Sequence, residues 1–143
     1  MNKPLIPSKP IALTRDKPML EKDVEGNNRT YAKKKGVMFE KFTSPSKRSV
    51  PDDILTFPNG LIAFIEYKAP GKRATPKQWL DHQKRRAMGC LVYVVDDPDV
   101  GRRVIDTLLE LDEQPPEGRR SWWIDEELIE VKERYTDKNV VEK

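Results

Sequence analysis

Three charged side chains at the open end of a predicted β-hairpin have the types and spacing for metal-assisted chemistry. The turn Pro58-Asn59-Gly60 fits a three-residue type I turn closed by a left-handed glycine. Such a turn pairs Phe57 with Leu61, and counting outward along the two strands places Asp52 opposite Glu66. Directly opposed residues share a face of the sheet, with Cβ atoms roughly 4.5–5.5 Å apart.

The same register sorts the neighbouring charged residues. Lys68 follows Glu66 by two positions and is predicted to share its face, because side chains alternate along a strand. Asp53 is predicted to pair with Ile65 on the opposite face. A bulge elsewhere in the hairpin would shift this register by one residue.

Two carboxylates directly across a ladder repel each other, and a divalent cation relieves that repulsion. Asp52 and Glu66 offer the oxygen ligands that Mg²⁺ prefers, with water filling its other positions, and Mn²⁺ is expected to substitute. The backbone carbonyl of Tyr67 could add a third protein ligand. A metal-bound water is easier to deprotonate, and Lys68 could orient that water and neutralise charge on a phosphate.

A longer run of sequence around these residues resembles the VRR-NUC branch of the PD-(D/E)xK nuclease superfamily. Pro51-Asp52 followed by Glu66-Tyr67-Lys68 matches the superfamily signature. The similar surroundings are Val50-Pro51-Asp52, the run from Phe64 to Gly71, Thr75-Pro76-Lys77-Gln78, Met88-Gly89 and Val92-Tyr93-Val94-Val95. The resemblance covers roughly residues 19–100. The family usually carries leucine where this chain has Tyr67, which a backbone ligand tolerates.

The resemblance implies a restriction-endonuclease-like core that hydrolyses phosphodiester bonds, often in branched or flap-bearing DNA. It also implies two further active-site residues. One is Gln78, which equally fits a capping box with Thr75 at the start of a helix. The other is an acidic residue on the first helix, as a catalytic and metal-binding group. Glu21 and Glu25 are both candidates because they share a helix face, and we favour Glu21.

The elements that must position these residues form one α/β domain in the order α-β-β-β-α-β, with a mixed central sheet flanked by helices. Residues 1–15 are predicted to be an extended arm, 16–112 the nuclease core, and 113–143 a linker and a helical extension. The predicted elements are a helix from Asp16 to Gly36, strands at 37–42, 52–57 and 61–68, a helix at 75–89, a strand at 90–95 and a helix from Asp97-Pro98 to Leu111.

Composition limits the alternatives. The 143 residues suit one domain, and no stretch approaches the roughly 18 apolar residues of a membrane span. One cysteine, Cys90, excludes an internal disulfide and favours a reducing cytoplasm, that of a bacterium or a virus-infected cell. One cysteine and one histidine also argue against a structural zinc site. We interpret His82 as a surface or DNA-contacting residue.

DNA is the predicted partner. The basic pairs Lys47-Arg48 and Lys72-Arg73 flank the open end of the hairpin and are predicted phosphate contacts. The small size resembles viral Holliday-junction resolvases, which favours a structure-selective endonuclease that acts as a homodimer. The alternatives are a flap or duplex nuclease of broader specificity and a catalytically silent DNA-binding or assembly module. The predicted dimer contact lies between Trp122 and Tyr135, unless that helix packs on its own domain or the N-terminal arm makes the contact.

Overall fold

The computed structural model describes residues 17–119, which contain four strands and four helices. In chain order they are α1 (Glu21–Lys34), β1 (Met38–Lys41), β2 (Asp53–Thr56), β3 (Ile62–Tyr67), α2 (Pro76–Ala87), β4 (Leu91–Val95), α3 (Pro98–Asp112) and the short α4 (Pro116–Arg119). The strands form one sheet in the order β1-β2-β3-β4. The first three are antiparallel, and β4 is parallel to β3. The predicted mixed sheet flanked by helices is confirmed.

The hairpin register is the one that the turn chemistry predicts. The Phe57 N–H donates to the carbonyl oxygen of Leu61 at 2.8 Å, and Gly60 has φ +97°, which favours glycine. Asp53 pairs with Ile65, as predicted. Asp112, at the end of α3, accepts from the backbone N–H of Asn59 at 2.7 Å and of Leu61 at 3.0 Å, which holds the turn against the domain.

The two faces of the sheet are covered differently. Helices α1 and α3 pack together over one face. Helix α2 packs against β4 on the other face and leaves Met38 and Ile62 about half exposed there. The main core lies under α1 and α3 and includes Val24, Ala32, Leu55, Ala63, Ile65, Val104, Ile105 and Leu108. Strand β4 is buried along its whole length, as its continuous apolar run predicts.

The predicted start of the first helix is wrong. Helix α1 begins at Glu21 rather than after Asp16, because the Asp23 carboxylate accepts from the Leu20 backbone N–H at 2.8 Å and makes Leu20 the N-cap. The segment after α3, predicted as a linker, contains the helical turn Pro116–Arg119. Within residues 17–119, no helix combines the length and apolar composition needed to cross a bilayer. The predicted N-terminal arm and the predicted dimer contact from Trp122 to Tyr135 lie outside the described residues.

Candidate active site

The open end of the hairpin brings Asp52 and Glu66 together. Asp52 precedes Asp53 and therefore stands opposite Glu66, one step beyond the Asp53–Ile65 pair. Its Oδ2 accepts from the Tyr67 backbone N–H at 2.8 Å, which ties the start of β2 to the end of β3. Glu66 is 1% exposed, so its carboxylate is removed from bulk water.

Lys68 and Gln78 both engage the same oxygen of Glu66. Lys68 Nζ lies 3.4 Å from Glu66 Oε2, and Gln78 Nε2 donates to that oxygen at 3.1 Å. Glu66 Oε1 is buried and has no hydrogen-bond partner among residues 17–119. A buried oxygen without a partner is costly, so this atom is where a further ligand would gain most.

Gln78 serves the helix and the site at once. Its Oε1 accepts from the Thr75 backbone N–H at 2.9 Å, and the Thr75 hydroxyl accepts from the Gln78 N–H at 3.2 Å. These two bonds complete the predicted capping box at the start of α2. The amide nitrogen remains free to bind Glu66, so the two interpretations of Gln78 are compatible.

Burial and mutual repulsion dominate the electrostatics of the carboxylates. Burial, followed by the charge of Asp52, raises the pKa of Glu66 to about 8, against the opposing effect of Lys68. Burial also raises the pKa of Asp52, although the Tyr67 N–H and Lys41 act in the other direction. A cation bound between the two groups would remove this destabilisation.

The structure separates the two candidate glutamates of α1. Burial and the charge of Asp52 raise the pKa of Glu21 while Lys68 lowers it, so Glu21 shares the electrostatic environment of the site. Glu25 instead accepts from Lys41 Nζ at 2.7 Å and lies 3.6 Å from Arg29. Glu25 is thus engaged by Lys41 and Arg29, which leaves Glu21 as our preferred candidate for the acidic residue of the site.

Asp53 lies on the other face of β2, as predicted. It is fully buried, and burial together with the neighbouring Glu25 raises its pKa to about 9. Burial would raise the pKa of Glu25 too, but Asp53 and Lys41 lower it. Asp53 and Glu25 are thus neighbouring buried acids, and both belong to the packing of α1 on the sheet.

Tyr67 reaches both faces through different atoms. Its backbone N–H holds Asp52, whereas its hydroxyl donates to Asn28 Oδ1 at 3.0 Å in the core under α1. Because the backbone faces the site irrespective of the side chain, tyrosine is compatible with the predicted role of the Tyr67 carbonyl.

The donor set fits a hard divalent ion bound mainly by two carboxylates. Asp52 and Glu66 are opposed, share one face, and leave Glu66 Oε1 without a partner within the described chain. No group of three or more His, Cys, Asp or Glu side chains in residues 17–119 converges on one point, so Glu21 does not complete a three-carboxylate cluster here. Backbone and water oxygens would supply the other positions.

The prediction for His82 is wrong. His82 is fully buried, neither ring nitrogen has a hydrogen-bond partner in the described part of the chain, and burial and Arg86 lower its pKa to about 3. His82 follows Gln78 by four residues, so the two side chains lie on the same face of α2, toward the sheet. This spacing could have predicted the burial of His82.

Sequence reasoning also missed a contact between the loop before β2 and helix α2. Lys47 Nζ lies 2.9 Å from Asp81 Oδ1, and Arg85 Nε donates to Asp81 Oδ2 at 2.8 Å. Asp81 is 3% exposed. The pairing of Asp81 with Arg85 at helical spacing is readable in the sequence, but the loop partner is not.

Comparison with known proteins supports the fold. No family model matches the chain. A protein of Acyrthosiphon pisum secondary endosymbiont phage 1, named Putative nuclease p44, is 40% identical over 80 residues, which is 56% of this chain and 86% of the phage protein. A solved VRR_NUC domain is 25% identical with a TM-score of 0.54, and the match covers 63% of this chain and 94% of that domain.

The fold and these similarities indicate a nuclease of the restriction-endonuclease-like class. Within that class the chain belongs to the VRR-NUC family of the PD-(D/E)xK superfamily and is similar to its small viral stand-alone members.

Proposed function

We propose that this chain is a Mg²⁺-dependent deoxyribonuclease that hydrolyses phosphodiester bonds. The observation that carries the proposal lies at the open end of the hairpin, where Asp52 Oδ2 accepts from the Tyr67 N–H at 2.8 Å and Lys68 Nζ lies 3.4 Å from Glu66 Oε2. Asp52 and Glu66, with the Tyr67 carbonyl, would hold the ion, and Glu21 would act through its charge nearby. Mn²⁺ is expected to substitute, because the donors are hard oxygens.

When bound, the ion would act as a Lewis acid and make a bound water easier to deprotonate. The residues of the chain do the positioning. Gln78 Nε2 fixes Glu66 Oε2, so the carboxylate keeps one orientation with Oε1 unoccupied by protein donors. The Lys68 ammonium lies next to Glu66 and would neutralise charge on the phosphate and orient the attacking water. Thus Lys68 and Gln78 limit the ways in which the Glu66 carboxylate can rearrange.

The substrate is expected to be branched DNA cut by a homodimer, on the resemblance to viral junction resolvases. A junction offers two equivalent strands and one chain offers one site, so paired incision calls for two subunits. The expected setting is the cytoplasm of a bacterium or an infected cell, for which the phage relative offers support. A flap or duplex nuclease is the alternative within the enzyme class. A silent DNA-binding module is the alternative outside it, and the intact set Asp52, Glu66 and Lys68 argues against that role.

A substrate panel tests the proposal. Four-way junctions, flaps, linear duplex, single-stranded DNA and RNA would be incubated with Mg²⁺, with Mn²⁺ and with EDTA. We expect cleavage of the junction with either metal and none in EDTA. Glu66→Gln should abolish cleavage, whereas Glu110→Gln, a matched change at an exposed glutamate of α3, should not. Junction binding without cleavage under all metal conditions would instead establish the silent module.

A further inference from the structure

A groove between the loop before β2 and helix α2 concentrates positive charge close to the carboxylates. It is lined by Lys47, Asp81, Lys84, Arg85 and Met88 and has a volume of about 220 Å³. Three cations and one carboxylate give these lining residues a net charge of +2 (3 − 1). The charge of the groove favours an anionic ligand.

Asp81 holds two of these cations in place. Its Oδ1 lies 2.9 Å from Lys47 Nζ and its Oδ2 accepts from Arg85 Nε at 2.8 Å. Burial would raise the pKa of Asp81, but the hydrogen bonds from Arg85 and Lys47 lower it, so the carboxylate stays ionised. A buried anion with both oxygens in use fixes where the cations lie and leaves their remaining donors for a ligand.

Arg85 is further immobilised by two aromatic rings. Its guanidinium lies 5.3 Å from the ring centroid of Phe42 and 5.1 Å from that of Phe64. Only Nε is used by Asp81, and among residues 17–119 the two terminal nitrogens have no hydrogen-bond partner. The planar fork is therefore oriented before any ligand binds, which reduces the ordering cost of recognising a phosphate.

The groove adjoins the candidate active site. Phe64 precedes Glu66 by two residues on the same strand face, a separation of roughly 7 Å. The Phe42 N–H donates to the Asp52 carbonyl at 2.7 Å, so the second ring adjoins the other carboxylate. A strand whose phosphate is cut at the carboxylates would carry a neighbouring phosphate past Arg85.

We propose that Lys47, Lys84 and Arg85 form a phosphodiester-binding subsite that holds the nucleic-acid backbone a few nucleotides from the bond that is cut. The subsite rests on the proposed function and deepens it, because it makes cleavage depend on a charged phosphate on one side of the cut. The fork of Arg85 suits two phosphate oxygens, and the lysines add point charges. Asp81 is a positioning residue, since it acts only through Lys47 and Arg85.

DNA with single uncharged backbone linkages can locate the phosphate that contacts the proposed subsite. DNA carrying a single methylphosphonate at successive positions on both sides of the cut would be assayed for cleavage and for binding. We expect one position at which neutralisation slows wild-type cleavage roughly tenfold, as loss of a charge-assisted hydrogen bond would. Lys84→Ala and Arg85→Ala should both remove the penalty at that position. Each should also lower the slope of log binding constant against log salt by about one.

A second groove supplies matched controls. Lys34 and Arg102 line a groove between α1 and α3 on the other side of the sheet, and Arg102 also stacks on a ring, at 5.4 Å from the Tyr31 centroid. Lys34→Ala and Arg102→Ala should leave the position-dependent penalty and the salt slope unchanged. Arg85→Ala removes packing and could unfold the protein, whereas Lys84 is exposed, so Lys84→Ala tests the subsite without that risk.

The outcomes separate the subsite from the proposed function. Suppose the wild type cuts DNA, but Lys84→Ala shows the same slowing by the methylphosphonate and the same salt slope as the wild type. The subsite is then overturned, whereas the proposed nuclease function is retained. If the wild type cuts no substrate, the proposed function fails, and the salt slope of metal-free binding still decides whether the groove contacts phosphate. Equal effects of the Lys34 and Lys84 substitutions would mean diffuse attraction and would also overturn the subsite.

Discussion

Buried acidic side chains have different environments on the two faces of the sheet. On the face covered by α1, Asp53 is fully buried beside Glu25, and burial raises its pKa to about 9. On the face toward α2, Glu66 is held by Lys68 and Gln78 on one oxygen and has no partner on the other among residues 17–119. Acidic residues of one hairpin thus lie in different environments because strand side chains alternate between the two faces.

The largest expected effect separates two adjacent aspartates. Asp52→Asn should reduce cleavage by more than about 100-fold, because it removes a proposed metal ligand. Loss of a residue that only hydrogen-bonds to a ligand costs about 10–100-fold. Asp53→Asn should stay within a few-fold of the wild type, since Asp53 lies on the opposite face and burial raises its pKa, so an uncharged amide is a close substitute. Initial rates in Mg²⁺ on the best substrate of the panel measure both.

The reverse pattern would break the comparison. If Asp53→Asn abolished cleavage and Asp52→Asn did not, the chemical face would be the one under α1. Circular dichroism of both variants must first show that the fold is retained.

The hairpin register and the helix cap could be predicted because both depend on local chemistry. Pro58-Asn59-Gly60 determines the turn, and the turn determines which residues face each other far along the strands. The contact of Lys47 with Asp81 joins residues far apart in sequence. It depends on how α2 lies against the sheet, which no local pattern specifies. The burial of His82 was missed for a different reason, because its polar residue type outweighed its helical spacing from Gln78.

A smaller effect is expected at Gln78, whose two roles can be separated. Gln78→Glu keeps a capping-box residue at the third helical position but replaces the donor to Glu66 with a negative charge. Cleavage should fall by about 10–100-fold, the range for partners of ligating carboxylates, and the added repulsion of Glu66 should lower the melting temperature in EDTA.

Thr75→Ala is the matched control for Gln78. It removes a cap hydroxyl and should cost about 1 kcal/mol of stability while leaving the Gln78–Glu66 bond in place. Cleavage at a temperature where both variants are folded should therefore be near that of the wild type. Equal losses of activity in the two variants would mean that Gln78 acts only through the helix cap.

The stability of the metal-free protein should fall as pH rises from 6.5 to 9. The raised pKa values of Glu66, about 8, and Asp53, about 9, mean that the folded state retains protons that the unfolded state has already lost, so stability is lost as pH rises through them. Below pH 6.5 the lowered pKa of His82 adds an opposite trend, which is why the window begins there. Thermal melts in EDTA should shift by at least about 4 °C.

The effect of added Mg²⁺ on the melting temperature shows which face of the sheet binds the ion. At pH 8.5 it should raise the melting temperature of the wild type and of Asp53→Asn, but not that of Glu66→Gln. Stabilisation of Glu66→Gln by Mg²⁺ equal to that of the wild type would place the ion elsewhere.

The smallest expected effect on cleavage concerns Tyr67, which touches both faces. Tyr67→Phe removes the hydroxyl that donates to Asn28 Oδ1 at 3.0 Å and leaves a buried acceptor without that donor, at a cost of about 1–3 kcal/mol. The backbone N–H that holds Asp52 is unchanged, so initial rates and the Mg²⁺ concentration for half-maximal activity should stay within about twofold of the wild type, the scale of an effect near 0.4 kcal/mol. Tyr31→Phe is the matched control, because its hydroxyl bonds to Asp106 at the surface and its loss should lower the melting temperature less. A tenfold loss of cleavage in folded Tyr67→Phe would contradict this expectation. It would show that the packing under α1 determines the geometry of the carboxylates on the opposite face.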